Sequence, residues 1–196
     1  MYTTTTLKKL SFDEAMNEID GGAMFVDVRP VRDYLDVHIP GSLENLYESG
    51  PGFAGRARDC IPLHIPLVLI DAGTGVDLTD AAAALRGKGF TVLGFVEDAL
   101  NTWAEAKGTP VSTEVIEDHA ASGKLLLDVG DPGAIKVEGA MRITADRLWE
   151  RIDEVTAAAG HGERVVIIAG FGVRAALCIG ILERHGFTEI TFWTAG

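Results

Sequence analysis

The sequence predicts an α/β chain of two tandem units, each a small, mostly parallel sheet with helices on both faces. Three observations carry that expectation. Short, continuous apolar runs (MFVDV, PLVLI, RVVII) have the character of strands buried on both faces. Segments of helical periodicity separate them, as in parallel-sheet α/β units. The whole pattern then occurs twice. AMFVDVRP (23–30) matches KLLLDVGD (124–131), HIPGS (38–42) matches VEGAM (137–141), PLVLIDAGTG (66–75) matches RVVIIAGFGV (164–173), and KGFTVLGFVEDA (88–99) matches HGFTEITFWTAG (185–196). The offsets are 101, 98 (taken from Gly41 to Gly139), 98 and 97 residues. The units divide at AEAKGTPVST (104–113), where Gly108 ends a helix and Pro110 blocks its continuation, giving expected domains of 1–109 and 110–196.

In chain order, Ser11 with Glu14 three residues on predicts a capping box and a helix over roughly 12–20. AMFVDV is the first strand; the HIPGS turn and a loop lead to the strand IPLVLI. A glycine-rich turn then precedes a helix around DLTDAAAALRGKG. The strand FTVLGFV and the helix EDALNTWAEAKG close the first unit. In the second, Leu148, Ile152 and Val155 recur at i, i+4 and i+7 behind a Thr144 cap and predict one longer helix. VVII, the AGFGVR turn and the helix AALCIGILERHG follow, with Gly186 as the terminating glycine. The second copy stops at WTAG, where the first continues into a closing helix; either that helix is absent or the sequence is cut short.

Charge narrows the partners. Seventeen Lys+Arg against 29 Asp+Glu leave a net charge of −12, which argues against nucleic acid and against anionic membrane surfaces. No apolar run approaches the ~20 residues a bilayer requires. No signal-peptide core precedes the first helix, so the expected location is cytoplasmic. The two cysteines, Cys60 and Cys178, form neither a disulfide framework nor a metal-ligand cluster.

The segment DVRPVRDYLDVHIPGSLENL (27–46) resembles the rhodanese (sulfurtransferase) superfamily. Asp27, Val28, Arg29, Asp33, Tyr34, His38, Ile39, Pro40 and Gly41 fall on its signature, while Val37 stands where the family usually has Gly. The two copies are similar to the paired rhodanese modules that follow the metallo-β-lactamase domain in persulfide-dioxygenase fusions, and the second is the more worn. The resemblance implies a fold of two rhodanese-like domains. It also implies a place for chemistry: a Cys-x-x-Gly-x-Arg loop at a helix N-terminus, whose N–H groups lower the thiol pKa so that it can carry a persulfide.

Neither copy has that cysteine. In the second, Ala169 stands at the nucleophile, with Gly170, Phe171, Gly172, Val173 and Arg174 completing the window. In the first, Asp71 stands there, Thr74 at the glycine and Val76 at the arginine. An Asp71 carboxylate is expected to fill its own loop by accepting two or more backbone N–H groups. Ala169 leaves the second loop open, so residues 170–174 form a candidate site for a small anion; the competing reading is a structural Arg174 and a loop that holds only water.

Other constellations are weaker. GFGVRA fits a dinucleotide fingerprint but lacks the acidic residue about 20 positions on. DAGTG carries the first Asp of an aspartyl-phosphate loop but has Gly73 in place of the second. No cofactor and no metal is expected. Cys60, with Arg56 and Arg58 close in sequence, is a candidate reactive thiol; Cys178 is expected in the core. The expectation is therefore a rhodanese-related protein without sulfur transfer, with a binding, regulatory or scaffolding role and an unidentified protein partner. The alternative is a sulfurtransferase working through Cys60.

Overall fold

The computed structural model describes residues 6–47, 52–71, 73, 75–116, 125–130, 136–170 and 172–194. Its first sheet contains β1 (Met24–Asp27), β2 (Leu43–Glu44), β3 (Leu67–Asp71) and β4 (Val92–Glu97) in the order β2-β1-β3-β4, every pair parallel. Around it lie α1 (Phe12–Asp20), α2 (Val31–Asp36), α3 (Gly52–Cys60), α4 (Leu78–Gly87) and α5 (Ala99–Lys107). The second sheet contains β5 (Glu114–Ile116), β6 (Leu125–Asp128), β7 (Met141–Arg142), β8 (Val165–Ala169) and β9 (Ile190–Thr194) in the order β5-β9-β8-β6-β7, again parallel throughout. Its helices are α6 (Ala145–Leu148), α7 (Ile152–Ala159) and α8 (Val173–Arg184).

The internal repeat is visible in this topology. β1, β2, β3 and β4 correspond to β6, β7, β8 and β9, and Asp27 opposite Glu44 corresponds to Asp128 opposite Arg142. Even β5 has a counterpart. Residues 8–10 lie along β4, Phe95 N–H donating to Lys8 O at 2.9 Å and Leu10 N–H to Phe95 O at 2.8 Å. This strap closes an edge that would otherwise present unpaired backbone groups.

Sequence signals explain the element ends. Ser11 Oγ accepts the Glu14 N–H at 3.1 Å while the Glu14 carboxylate accepts the Ser11 N–H at 2.8 Å, the predicted capping box. Gly41 adopts φ +76° at the HIPG turn, a left-handed conformation suited to glycine. Alternating strand residues face opposite ways. Met24, Val26, Leu67 and Leu69 join one apolar cluster; Phe25, Val68 and Ile70 join another with residues of α1 and α5.

Two expectations change. The longer helix expected behind Thr144 is broken: α6 stops at Leu148, Trp149–Arg151 form turns, and α7 begins at Ile152. Thr144 sits at the N-cap of α6, but its side chain makes no capping bond. The loop expected between HIPGS and IPLVLI contains α3, whose Phe53, Ala57 and Cys60 recur at i, i+4 and i+7 on the buried face.

The principal cluster runs through both units. Leu67 and Leu69 of the first sheet belong to it, as do Leu127 and Ile167 of the second and Leu177, Ile179 and Ile181 of α8. Every residue of α8 from Ala175 to Leu182 is buried, the pattern of a helix apolar all round. Gly180 allows its close seating on β2: a Cβ there would come within 2.1 Å of Ser42 O. Among the described residues, no helix is long and apolar enough to cross a membrane.

Candidate functional site

The expected anion loop lies at the end of β8. Ala169 closes the strand and is buried; Gly170 and Gly172 form the turn, and α8 begins at Val173. Phe171 lies outside the described residues. Gly172 occupies the N-cap without a side chain to offer, so the first N–H groups of α8 receive no side-chain cap there. A cavity of about 210 Å³ is lined by Val129, Gly130, Ala169, Gly170, Gly172 and Arg174, among others.

Arg174 also reaches a larger cavity of about 580 Å³, between α3 of the first unit and α6 and α8 of the second. Arg56, Arg58, Asp59 and Cys60 line its first-unit wall; Asp146, Arg147, Glu150 and Arg174 line the other. The structure thus brings together two sets of residues that the sequence left separate, Cys60 with its arginines and the second-unit loop with Arg174. The walls carry four arginines and three carboxylates, a local balance more positive than that of the whole chain. Part of that charge is internally matched, since Arg147 lies 3.1 Å from Glu150.

Cys60 is the last residue of α3 and is 5% exposed. Burial pushes its thiol up to about 12, and the carboxylates of Asp59 and Asp146 push the same way; Arg174 and Arg56 oppose them. At neutral pH such a thiol is ionised in roughly one molecule in 10⁵. Cys178 is fully buried in α8, and its thiol is also raised well above the ordinary range, first by burial and then by Cys60. The arginines near Cys60 in sequence do not offset desolvation.

The first-unit loop is built differently. Asp71 ends β3, and α4 starts only at Leu78. Asp71 Oδ1 accepts one backbone N–H among the described residues, that of Gly73 at 2.9 Å. The helix cap expected of Asp71 belongs instead to Asp77, whose Oδ1 accepts the N–H groups of Thr79 at 2.9 Å and Asp80 at 3.3 Å. The reason is distance along the chain: a capping carboxylate must immediately precede the helix. Asp71, Asp77 and Glu97 line a neighbouring cavity of about 470 Å³, a surrounding that disfavours anions.

The signature turn is a buried polar network. Arg29 Nη2 donates to Asp27 Oδ2 at 2.7 Å and to Val37 O at 2.6 Å. Tyr34 donates to Ser42 O at 2.8 Å and stacks on His38 with ring centroids 3.9 Å apart. Glu44, fully buried at the end of β2, was not singled out in the sequence. One of its oxygens accepts the Leu46 N–H at 3.0 Å and the other has no hydrogen-bond partner among the described residues. Burial and the neighbouring Asp27 raise the Glu44 carboxyl well above the ordinary range. At the equivalent place of the second sheet stands Arg142, donating to Asp128 at 2.9 Å. The parallel pairing of two strand-end acids in one copy and an acid with a base in the other was the available signal. Among the described residues, no group of three or more His, Cys, Asp or Glu is placed to hold a metal ion.

Neither a protein-family model nor a curated protein matches the chain. Solved structures similar to it include the 3-mercaptopyruvate sulfotransferase SseA of Escherichia coli, described by its rhodanese fold, at 15% identity and TM-score 0.40; the match covers 96% of this chain and 98% of that one. A thiosulfate sulfurtransferase from Pseudomonas aeruginosa matches at 14% identity and TM-score 0.41, over 97% of this chain and 41% of that one. An NAD-dependent persulfide reductase from A. fulgidus matches at 17% identity and TM-score 0.37, over 61% and 24%. The described residues form two parallel α/β units whose strand orders correspond.

Proposed function

We propose that this chain is a rhodanese-related protein that has given up sulfur transfer in both units and retains a binding, regulatory or scaffolding role near sulfur metabolism. One observation carries the reading: the strand ends where a persulfide-forming cysteine would stand hold Asp71 and Ala169, while both cysteines are buried. The signature over 27–46 supports the family, and the raised Cys60 thiol supports the loss of chemistry. The ligand of the second unit is a small anion held by the turn at Gly170 and Gly172 and by Arg174.

A second reading has its own observation, since Cys60 lines the same 580 Å³ cavity as Arg174. There the Cys60 thiolate would attack the outer sulfur of thiosulfate, breaking its S–S bond and releasing sulfite, and the resulting persulfide would pass that sulfur to cyanide as thiocyanate. The deciding experiment is thiosulfate-to-cyanide sulfur transfer by wild type, Cys60→Ala and Ala169→Cys. The proposal expects no turnover from wild type. Wild-type turnover abolished in Cys60→Ala establishes the second reading. Turnover that appears only in Ala169→Cys supports a preserved but disarmed loop. Titration with sulfate, with Arg174→Ala as the comparison, tests the anion site; equal binding by both proteins removes Arg174 from it.

A further inference from the structure

The cavity of about 580 Å³ lies across the junction of the two units, and each of its walls carries charges of both signs. The walls are held in register from the far end of α8, where Glu183 meets the signature turn. There His38 Nε2 lies 2.9 Å from Glu183 Oε1, and the Gly41 N–H donates to Oε2 at 2.8 Å. Some of the charge in the cavity is already engaged. Arg56 donates to Leu46 O at 2.7 Å and to Asn45 Oδ1 at 3.3 Å. Arg147 stands between two acids, 3.1 Å from Glu150 and 3.8 Å from Asp146. Arg58 and Asp59, neighbours on α3, form no ion pair among the described residues. After burial, the groups that act on the Cys60 thiol are Asp59, Asp146, Arg174 and Arg56, so charges from α3, α6 and α8 converge on one space.

We propose that this cavity binds a zwitterion of dipeptide size that carries two acidic groups and one ammonium. The volume suits such a ligand, since small-molecule sites run to roughly 300–1,000 Å³. The sign pattern then selects among ligands of that size. Four arginines and three carboxylates leave one positive charge in excess, within a chain of net charge −12. An anion without an ammonium is repelled by the carboxylates, and a simple cation meets the surplus of arginine. A ligand with one acidic group in excess answers both. Arg58 and Arg174, on opposite walls, take the two acidic groups, because a planar guanidinium can donate two parallel N–H bonds to a carboxylate. Asp59 takes the ammonium.

This site goes beyond the small-anion reading of the Gly170–Gly172 turn and stands without it. The two share Arg174, and α3 distinguishes them: Arg58 and Asp59 line the large cavity and not the cavity of about 210 Å³ at the turn. A ligand that bridges α3 and α8 stabilises the folded chain by mass action. Arg58, Asp59 and Arg174 are exposed to solvent, so its binding weakens as ionic strength rises.

The test is calorimetric titration of the full chain at neutral pH and low salt. The probes are the dipeptide alanylglutamate, glutarate with two carboxylates and no ammonium, and alaninamide with an ammonium alone. Alanylglutamate is expected to bind at least about tenfold more tightly than either control. Arg58→Ala should weaken alanylglutamate and glutarate alike, by about tenfold. Asp59→Asn should weaken alanylglutamate and strengthen glutarate, a change of rank that a damaged fold does not produce. Glutarate bound as tightly as alanylglutamate by wild type overturns the proposal, whatever the variants do, and leaves a plain anion site. No alanylglutamate binding up to about 10 mM overturns it as well, as does binding undisturbed in both variants. Sulfate titrated into the same proteins keeps the two readings apart: sulfate bound and alanylglutamate not bound overturns the zwitterion site alone.

Discussion

At the residue scale, Glu44 carries the clearest prediction. Burial first, and then the neighbouring Asp27, raise its carboxyl, and one of its oxygens has no partner among the described residues, so the folded state favours its protonated form. An unfolded glutamate ionises near pH ~4.3, and above this the folded chain holds the extra proton. Stability is therefore lost as pH rises through the interval above ~4.3, by up to about tenfold in the equilibrium constant per unit. Glu44→Gln, which cannot ionise, is expected to gain on wild type progressively from pH 4.5 to 7, as read from urea midpoints. Cys60 gives a second prediction. With its thiol at about 12, an aromatic disulfide reagent at pH 8 should modify it roughly a thousandfold more slowly than a free thiol, and at the ordinary rate once urea unfolds the chain. Prompt modification of the native protein would argue for the Cys60 enzyme.

At the element scale, two helical glycines separate packing from propensity. Gly180→Ala drives a methyl into Ser42 O, a backbone atom that cannot step aside, and should cost about 3 kcal/mol or more. Gly55→Ala in α3 meets nothing within 4 Å and should stabilise by about 0.5–1 kcal/mol. Equal effects in denaturant titrations would refute the account of α8 seated against β2. These helices also mark what the sequence could and could not disclose. α1 was legible because Ser11 and Glu14 are local signals. α3 was hidden by Gly52 and Gly55, although Phe53, Ala57 and Cys60 already spelled a helical stripe. The break between α6 and α7 lies inside an unbroken i, i+4, i+7 pattern, since Leu148 and Val155 are both fully buried on either side of it. Periodicity reports which side chains face inward and is blind to a turn that keeps them there.

At the scale of the whole molecule, the repeat predicted two units, and the strand orders follow it. The shared core was beyond it. The apolar run AALCIGIL announces a buried helix, but nothing in its composition says that the burial is against the other unit. His38 and Glu183 are 145 residues apart, and no spacing rule connects them. Because one apolar cluster includes strands from both sheets, the chain is expected to unfold in a single step. Far-ultraviolet circular dichroism and tryptophan fluorescence should report the same urea midpoint; two separated transitions would mean that the units hold their own cores. The same reasoning accounts for the site: each half of the large cavity could be suspected from its arginines, while their meeting across the junction depends on tertiary packing.

The position of α8 also orders events in time. Its contacts with the signature turn span more than 140 residues, so during synthesis the first sheet must wait, one side of β2 uncovered, until residues 173–184 have emerged. At about 5–20 residues per second that delay lasts several seconds or more. Through it the nascent chain exposes Leu43 and its neighbours to any other apolar surface within reach, so a holdase that covers that face should raise the yield of folded protein most when translation is slowed downstream of the first unit.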